Sequence, residues 1–392
     1  MPSSKPRSST SSREDTTWVT RLWPGVKTSD IHQEHYTEYL RFADAQIEIF
    51  KSVCPEPSPF EDFFDALELI SLFQGEVNLT RRRAAELAAS ILLLDGCDAS
   101  AENADVVWRC VELAVCLWTT LNIRVPADTS CSPTSRATLA VFPGQVSHLW
   151  IDNGPLQAFI LENFENRGQS KVKATCLSLS PKCTMAYLSQ AYDFRPHWTS
   201  NLADHLKIEV DNRTITVYEH KIFLWNHLKS TEHSSDKNNP PILPRSVLAE
   251  ALDTLNILFP FGDDATEALL RREGKEASFY GLGNCTRDRE PKMSRYEHWR
   301  DELEEIAAVV SLPPRGRAQF LLDREGTNSR DVWAFWTAIA VGALAVIGVA
   351  SGVYSAVYAR MAFDVGVLQY QLALAQACAA ENATDHLPGF CS

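Results

Sequence analysis

Between Val332 and Ala359 the chain runs for 28 residues without one Asp, Glu, Lys or Arg: VWAFWTAIAVGALAVIGVASGVYSAVYA. A helix of that length is about 42 Å long, against a bilayer hydrocarbon core of about 30 Å. Trp333, Phe335 and Trp336 lie at one end and Tyr354 and Tyr358 at the other, where the rings of an interfacial aromatic belt would sit. A soluble helix this long with no polar stripe is rare, so the stretch reads as a single membrane span over 332–359. Val106 to Leu121 is also apolar but carries Arg109 and Glu112. A charge at the centre of a span costs roughly 2.5–3.5 kcal/mol, and Asp105, Arg109, Glu112 and Thr119 recur at helical spacing, so that segment reads as a core helix with one wet edge.

The flanks set an orientation. Arg315, Arg317, Arg324 and Arg330 precede the span and Arg360 follows it; basic residues stay on the cytosolic side. The bulk of the chain is therefore expected in the cytosol, and residues 360–392 form a luminal or extracellular tail. In that tail Asn382 opens an N-A-T glycosylation acceptor, and Cys378 and Cys391 can pair in an oxidising compartment. Val365 to Ala380 is too short and too rich in glutamine for a second span and is expected as a helix on the luminal surface. Within the span Gly348, Gly352 and Ala356 recur at every fourth position, and Ala338 and Gly342 repeat the spacing. Small residues so placed let two helix backbones approach, which would make a homodimer through the membrane; Gly and Ala are also simply common in membrane helices.

The remaining 331 or so residues before the span are ordinary globular sequence, with 45% apolar residues and ten tryptophans in the whole chain. Net charge is -13, which disfavours nucleic acid as a partner, because phosphate binding needs a basic surface. Residues 1–30 are rich in Ser and Thr, lack an apolar signal core and are expected to be a disordered leader. Residues 31–123 show apolar residues three and four apart and read as helical. Residues 124–330 mix helices with strands, notably RATLAVF, KVKATCLSL and RTITVYE. Capping boxes are expected at Asp264/Glu267 and Ser294/Glu297. This part shows no internal repeat and no heptad run. The fold class is thus an α-rich α+β cytosolic part with a small sheet, followed by one C-terminal transmembrane helix.

The chemistry is sparse. Ten cysteines form no CxxC, and eight of them fall in the part assigned to the reducing cytosol, where buried thiols are the default. His32 and His35 lie one turn apart without a third ligand. Asp204, His205 and His220 flank a strand and would meet as a metal or acid–base site only if the strand folds them together; structural packing of the two imidazoles is the plainer reading. GLGNCT, Gly281 to Thr286, lacks the third glycine of a dinucleotide loop. Arg81, Arg82 and Arg83 open a helix, as a solvated face or a surface for an acidic partner. No metal or cofactor is expected.

The segment Tyr187 to Leu224, with WTSNLADHL at its centre, resembles a block shared by a set of filamentous-fungal membrane proteins. The turn Leu258 to Asp263 (LFPFGD), the Asp323–Arg324 pair and the Phe335–Trp336 pair match the same set in order. The resemblance covers roughly residues 184–360; the tail, with its sequon and two cysteines, is longer than the pattern. It implies a fungal single-pass membrane protein and carries over no catalytic residue. The expected function is a non-enzymatic interaction or scaffold protein that meets the lipid bilayer and a cytosolic protein partner. The alternative is a membrane-tethered enzyme or accessory protein of a secondary-metabolite pathway, some of these proteins being encoded beside such genes.

Overall fold

The computed structural model describes residues 17–27, 32–54, 58–94, 101–124, 148–150, 153–165, 179–233, 241–283, 285, 292–312 and 329–379. It divides into two compact units, Met1–Gly316 and Arg317–Ser392.

The first unit opens with α1 (Thr17–Leu22), inside the segment expected to be a disordered leader. Six residues are far too few to hold a helix by themselves. Trp18, Val19, Leu22 and Trp23 are all buried, and Trp18 packs edge-on to Tyr36 and Phe63 with ring centroids 5.4 and 5.6 Å apart. Aromatic burial therefore orders this end, and the leader reading fails for residues 17–27.

Four longer helices follow: α2 (Thr37–Val53), α3 (Phe63–Gly75), α4 (Arg81–Leu94) and α5 (Ala101–Thr119). Asp62 caps α3 in a complete capping box with Asp65. In α5 Arg109 is 9% exposed. It donates to Asp105 at 2.8 Å and to the Val53 carbonyl at 3.1 Å, so the wet edge is largely covered by neighbours. Arg81 lies over the Trp108 ring at 4.8 Å, while Arg82 and Arg83 pair with Glu86 and Glu76.

After α5 the chain makes β1 (Ile123–Arg124) and β2 (His148–Leu149), which pair in parallel, then α6 (Leu156–Glu165) and α7 (Met185–Tyr192). Three strands follow: β3 (Arg195–Thr199), β4 (Ile208–Glu209) and β5 (Thr214–Tyr218). β5 is central, parallel to β3 and antiparallel to β4. Alternation in RTITVYE suggests one wet face, yet Ile215, Thr216, Val217 and Tyr218 are all buried, because a central strand is covered on both sides. RATLAVF and all of KVKATCLSL but its last residue, Leu179, lie outside the described residues.

The unit continues with α8 (Lys221–His233), α9 (Arg245–Leu258), α10 (Asp264–Arg272), α11 (Glu276–Phe279) and α12 (Arg300–Ser311). Both expected capping boxes need correction. Asp263, one residue earlier, caps α10 by accepting from the Thr266 N–H. The Ser294/Glu297 segment is a 3-10 turn, Met293–Arg295, and the start of α12 is held from a distance. Buried Glu250 of α9 accepts from the backbone N–H groups of Glu297, His298 and Trp299 at 2.8, 2.8 and 2.7 Å. Contacts across residue 123 are extensive, including the β1–β2 pairing and a bridge between Thr80 and Pro155. The helical and mixed regions are thus one unit.

The second unit contains α13 (Ser329–Cys378), 50 residues in one helix. From Val332 to Cys378 it is long and apolar enough to cross a membrane, with a mean hydropathy of 2.1 in its most apolar window. The expected break near Ala359 and the separate surface helix at 365–380 are replaced by unbroken helix as far as Cys378. No Pro interrupts this stretch and Ala is frequent, so nothing local stops the helix. Gly348 and Gly352 have no neighbouring atom where a Cβ would stand. Cys378 is disulfide-bonded; Asn382 and Cys391 lie outside the described residues.

Candidate functional site

The parallel strands β3 and β5 end side by side, and open α/β layers place ligands beyond such carboxyl ends. Ser200 follows β3, and Glu219 and His220 follow β5 at the entry to α8. The Ser200 hydroxyl donates to Glu219 Oε1 at 2.5 Å. Glu219 Oε2 accepts from the Lys275 ammonium at 2.8 Å, and the same ammonium donates to Glu38 Oε2 of α2 at 2.6 Å. Lys275 also lies 5.8 Å from the Trp198 ring centroid. One ammonium thus joins α2, the end of β5 and the approach to α11, all with side chains 11–17% exposed.

Electrostatics follow from this geometry. Burial works to raise the Glu219 carboxyl; His220, Lys275 and Ser200 outweigh it and hold the group below the usual carboxylate range. Burial likewise works against the Lys275 ammonium, and its bonds to Glu219 and Glu38 raise it above its ordinary value. Both stay ionised near neutral pH.

His220 is different. Its side chain is fully covered, with Nε2 3.7 Å from Glu219 Oε1. It packs against Phe42, Tyr218 and Tyr39 at centroid distances of 5.2, 5.6 and 5.8 Å. Neither ring nitrogen has a hydrogen-bond partner. Burial, reinforced by Lys275, pushes its pKa down to about 4 against the pull of Glu219 and Glu38. With His220 neutral above that, Lys275 is the charge that keeps Glu219 ionised. His227, two turns further along α8, is pushed by burial to about 3 and bonds to the Trp118 backbone. Its Nε2 and the neighbouring Trp23 Nε1 lack partners.

The three residues singled out from sequence are housed separately. His205 Nδ1 accepts from the Tyr218 N–H at 3.3 Å, which puts the proton on Nε2, bonded to Thr254 Oγ1 at 2.8 Å. Thr254 passes its own proton to the Ala251 carbonyl at 2.7 Å. That chain fixes His205 as a neutral structural imidazole. Asp204 accepts from Asn201 Nδ2 at 2.7 Å. His220 alone of the three belongs to the Glu219–Lys275 cluster. Among the described residues no group of three His, Cys, Asp or Glu side chains is placed to hold a metal ion.

Sequence reading missed Ser200, Glu219, Lys275 and Glu38. Lys275 and Glu38 are 237 residues apart, and no spacing rule joins them. The one local signal was the position of Glu219 and His220 just past a strand.

Comparison with protein-family models, with curated proteins and with solved structures finds no match.

Proposed function

We propose that this chain is a single-pass membrane protein whose first unit works as a non-enzymatic interaction module, held in the cytosol at an endomembrane or the plasma membrane. The observation that carries the reading is α13, whose apolar side chains face outward all round: Trp333, Leu344, Ile347, Val349 and Val353 are exposed. Outward apolar surface of that extent is stable in lipid and costly in water. The cluster at the ends of β3 and β5 supports the interaction role, because Ser200, Glu219, Lys275 and Glu38 are engaged with one another. That is how a network ties distant segments together. The partners are the bilayer and a cytosolic protein. The resemblance to fungal single-pass proteins is consistent with this reading.

An endoglycosidase gel shift tests the topology. Asn382→Gln should abolish the shift, while Gln at the other N-x-S/T acceptors of the sequence, Asn78, Asn212 and Asn284, should leave it intact. A shift that depends on Asn78, Asn212 or Asn284 would place the first unit on the luminal side and overturn the assignment.

A second reading, a membrane-tethered enzyme, is favoured by one observation: the unpartnered imidazole of His220 beside an ionised carboxylate at the carboxyl ends of parallel strands. It requires a small molecule consumed by the purified full chain and spared by His220→Phe, read by mass spectrometry of incubated cell extracts.

A further inference from the structure

The backbone of residues 17–27 bonds to itself: the Trp23 N–H to the Val19 carbonyl and the Val26 N–H to the Trp23 carbonyl. The segment meets the rest of the first unit through buried rings and through side chains that reach its carbonyls. Gln74 of α3 donates to Leu22 at 2.9 Å, and Ser230 of α8 donates to Pro24 at 2.6 Å. Trp23 is fully buried and packs on Phe223 and His227 of α8 at centroid distances of 5.7 and 5.9 Å. A six-residue helix held in this way does not survive off its support.

The contact with His227 is unfinished. The bond between His227 and the Trp118 backbone favours the protonated ring, as a carbonyl acceptor does, so a ring proton stands on that side. His227 Nε2 then holds a lone pair, buried and without a partner, and so is the Trp23 Nε1–H of the ring packed against it. A proton added at Nε2 finds no acceptor there. The charged and titratable groups of the surrounding elements supply none. Arg21 of α1 is exposed, and Lys229 of α8 lies over the Trp225 ring at 4.8 Å. Tyr36, in the 3-10 turn Gln33–Tyr36, accepts from Asn226 at 2.8 Å, and His32 and His35 pack on each other at 5.4 Å. His220 packs against Phe42, Tyr39 and Tyr218. Burial holds the His227 pKa at about 3 against the pull of the Trp118 bond, with no carboxylate acting on the ring.

We propose that residues 17–27 are an acid-released strap: protonation of His227 detaches the segment while the rest of the first unit stays folded. An imidazolium formed under Trp23 needs water or an acceptor, and α1 is the neighbour that yields first. The other side is α5, whose Val111, Leu113, Ala114, Val115 and Leu117 are fully buried and whose Leu117 carbonyl accepts from Tyr39 at 2.7 Å. A segment with few hydrogen bonds to the rest of a fold opens at a fraction of the global unfolding free energy. With the strap off, His227 regains an ordinary value of about 6.5. Opening therefore takes up one proton between that value and about 3, so each pH unit below about 6.5 favours the open strap about tenfold. The closed strap is the form at neutral pH. Release uncovers the aromatic floor on which Trp18 and Trp23 sit, made of Tyr36, Tyr39, Phe63 and Phe223. None of this depends on the membrane anchor.

Hydrogen exchange of the full chain in detergent tests the strap, read by mass spectrometry from pH 7.5 to 4.5 with each amide corrected for its intrinsic rate. Peptides covering residues 17–27 should be less protected than those of α3 and α5 at every pH. Their protection should fall about tenfold per pH unit below about 6.5, one proton per opening. Global unfolding exposes His220 as well, so protection in α3 and α5 should fall about twice as steeply from a higher starting level. His227→Phe should flatten the profile of residues 17–27, and His220→Phe should leave it as it is. His227→Gln, which takes up no proton in this range, is the second variant should the Phe variant not fold. Equal protection and equal slope in α1, α3 and α5 would make α1 part of the global unit and overturn the strap. A slope that persists in His227→Phe or His227→Gln would move the proton elsewhere and overturn it too. A flat profile for residues 17–27 in the native chain overturns it without recourse to any variant.

Discussion

The helices α5 and α13 share a long apolar run and end in opposite surroundings. Both are long and rich in Val, Ala and Trp, and both were candidates for a span. In α5 the residues Val111, Leu113, Ala114, Val115 and Leu117 are fully buried, and its one buried cation is bonded on two sides. In α13 the apolar side chains face outward for the length of the helix and no charge falls between Val332 and Ala359. Mean hydropathy already favours α13, which among the described residues is the one helix long and apolar enough to cross a membrane. What also separates them is whether a charged residue has neighbours to bond it, because an unpaired charge in an interior costs several kcal/mol and an apolar surface in water costs about 25 cal/mol per Å².

That contrast can be broken at several points. The largest effect is expected in α9. Glu250→Ala strips the partner from three backbone N–H groups at once, two of them buried, which should cost on the order of 3–5 kcal/mol. Thermal unfolding of the full chain in detergent should show it as a large drop in midpoint, where Glu250→Gln loses less. In α13, Val346→Arg puts an unpaired charge at the middle of the span, at a cost of about 2.5–3.5 kcal/mol. Membrane flotation should show partial loss of integration, whereas Arg109→Leu in α5 should leave flotation unchanged.

Acid should weaken the first unit. His220 and His227 are held near 4 and 3, below the ordinary value of about 6.5 that they regain on unfolding. The unfolded chain therefore binds more protons between those limits. Stability is intact above about pH 6.5 and is lost as pH falls toward 4, by about 3 kcal/mol per imidazole at the low end. His220→Phe should flatten the fall, measured as denaturation midpoint against pH. A mutation of Lys275 to Met should act more gently: Glu38 and Glu219 lose their shared ammonium but keep partial access to water. A loss of about 2 kcal/mol is expected, offset in part by Glu38→Gln. Arg271→Ala, on an exposed bridge to Glu267 and Glu276, should leave the midpoint where it is.

These same elements show what the chain makes legible. The span could be read because membrane compatibility is a property of consecutive residues. The helices from α2 to α5 could be read from their apolar spacing. The ordered start could not, since α1 exists only through Trp18 and Trp23 meeting Tyr36, Phe63 and Phe223. The capping of α12 was invisible for the same reason: its anion is Glu250, some 47–49 residues away in sequence. Proximity of Asp204, His205 and His220 along the chain suggested a site, yet the sheet turns His205 toward Thr254 and leaves His220 against Glu219. Lys275, which organises the cluster, carried no signal at all. Helix continuity past Ala359 was likewise missed, because charges at Arg360 and Asp364 read as an end when they are only an interruption.

The central claim is that α13 anchors the protein in a bilayer, and alkaline carbonate extraction of membranes holding the full chain tests it most directly. The account predicts that the chain stays in the membrane pellet, and that a chain with Val346→Arg and Val349→Arg together moves to the supernatant. Release of the native chain by carbonate would contradict the anchor and require protein, not lipid, to cover the apolar surface of α13.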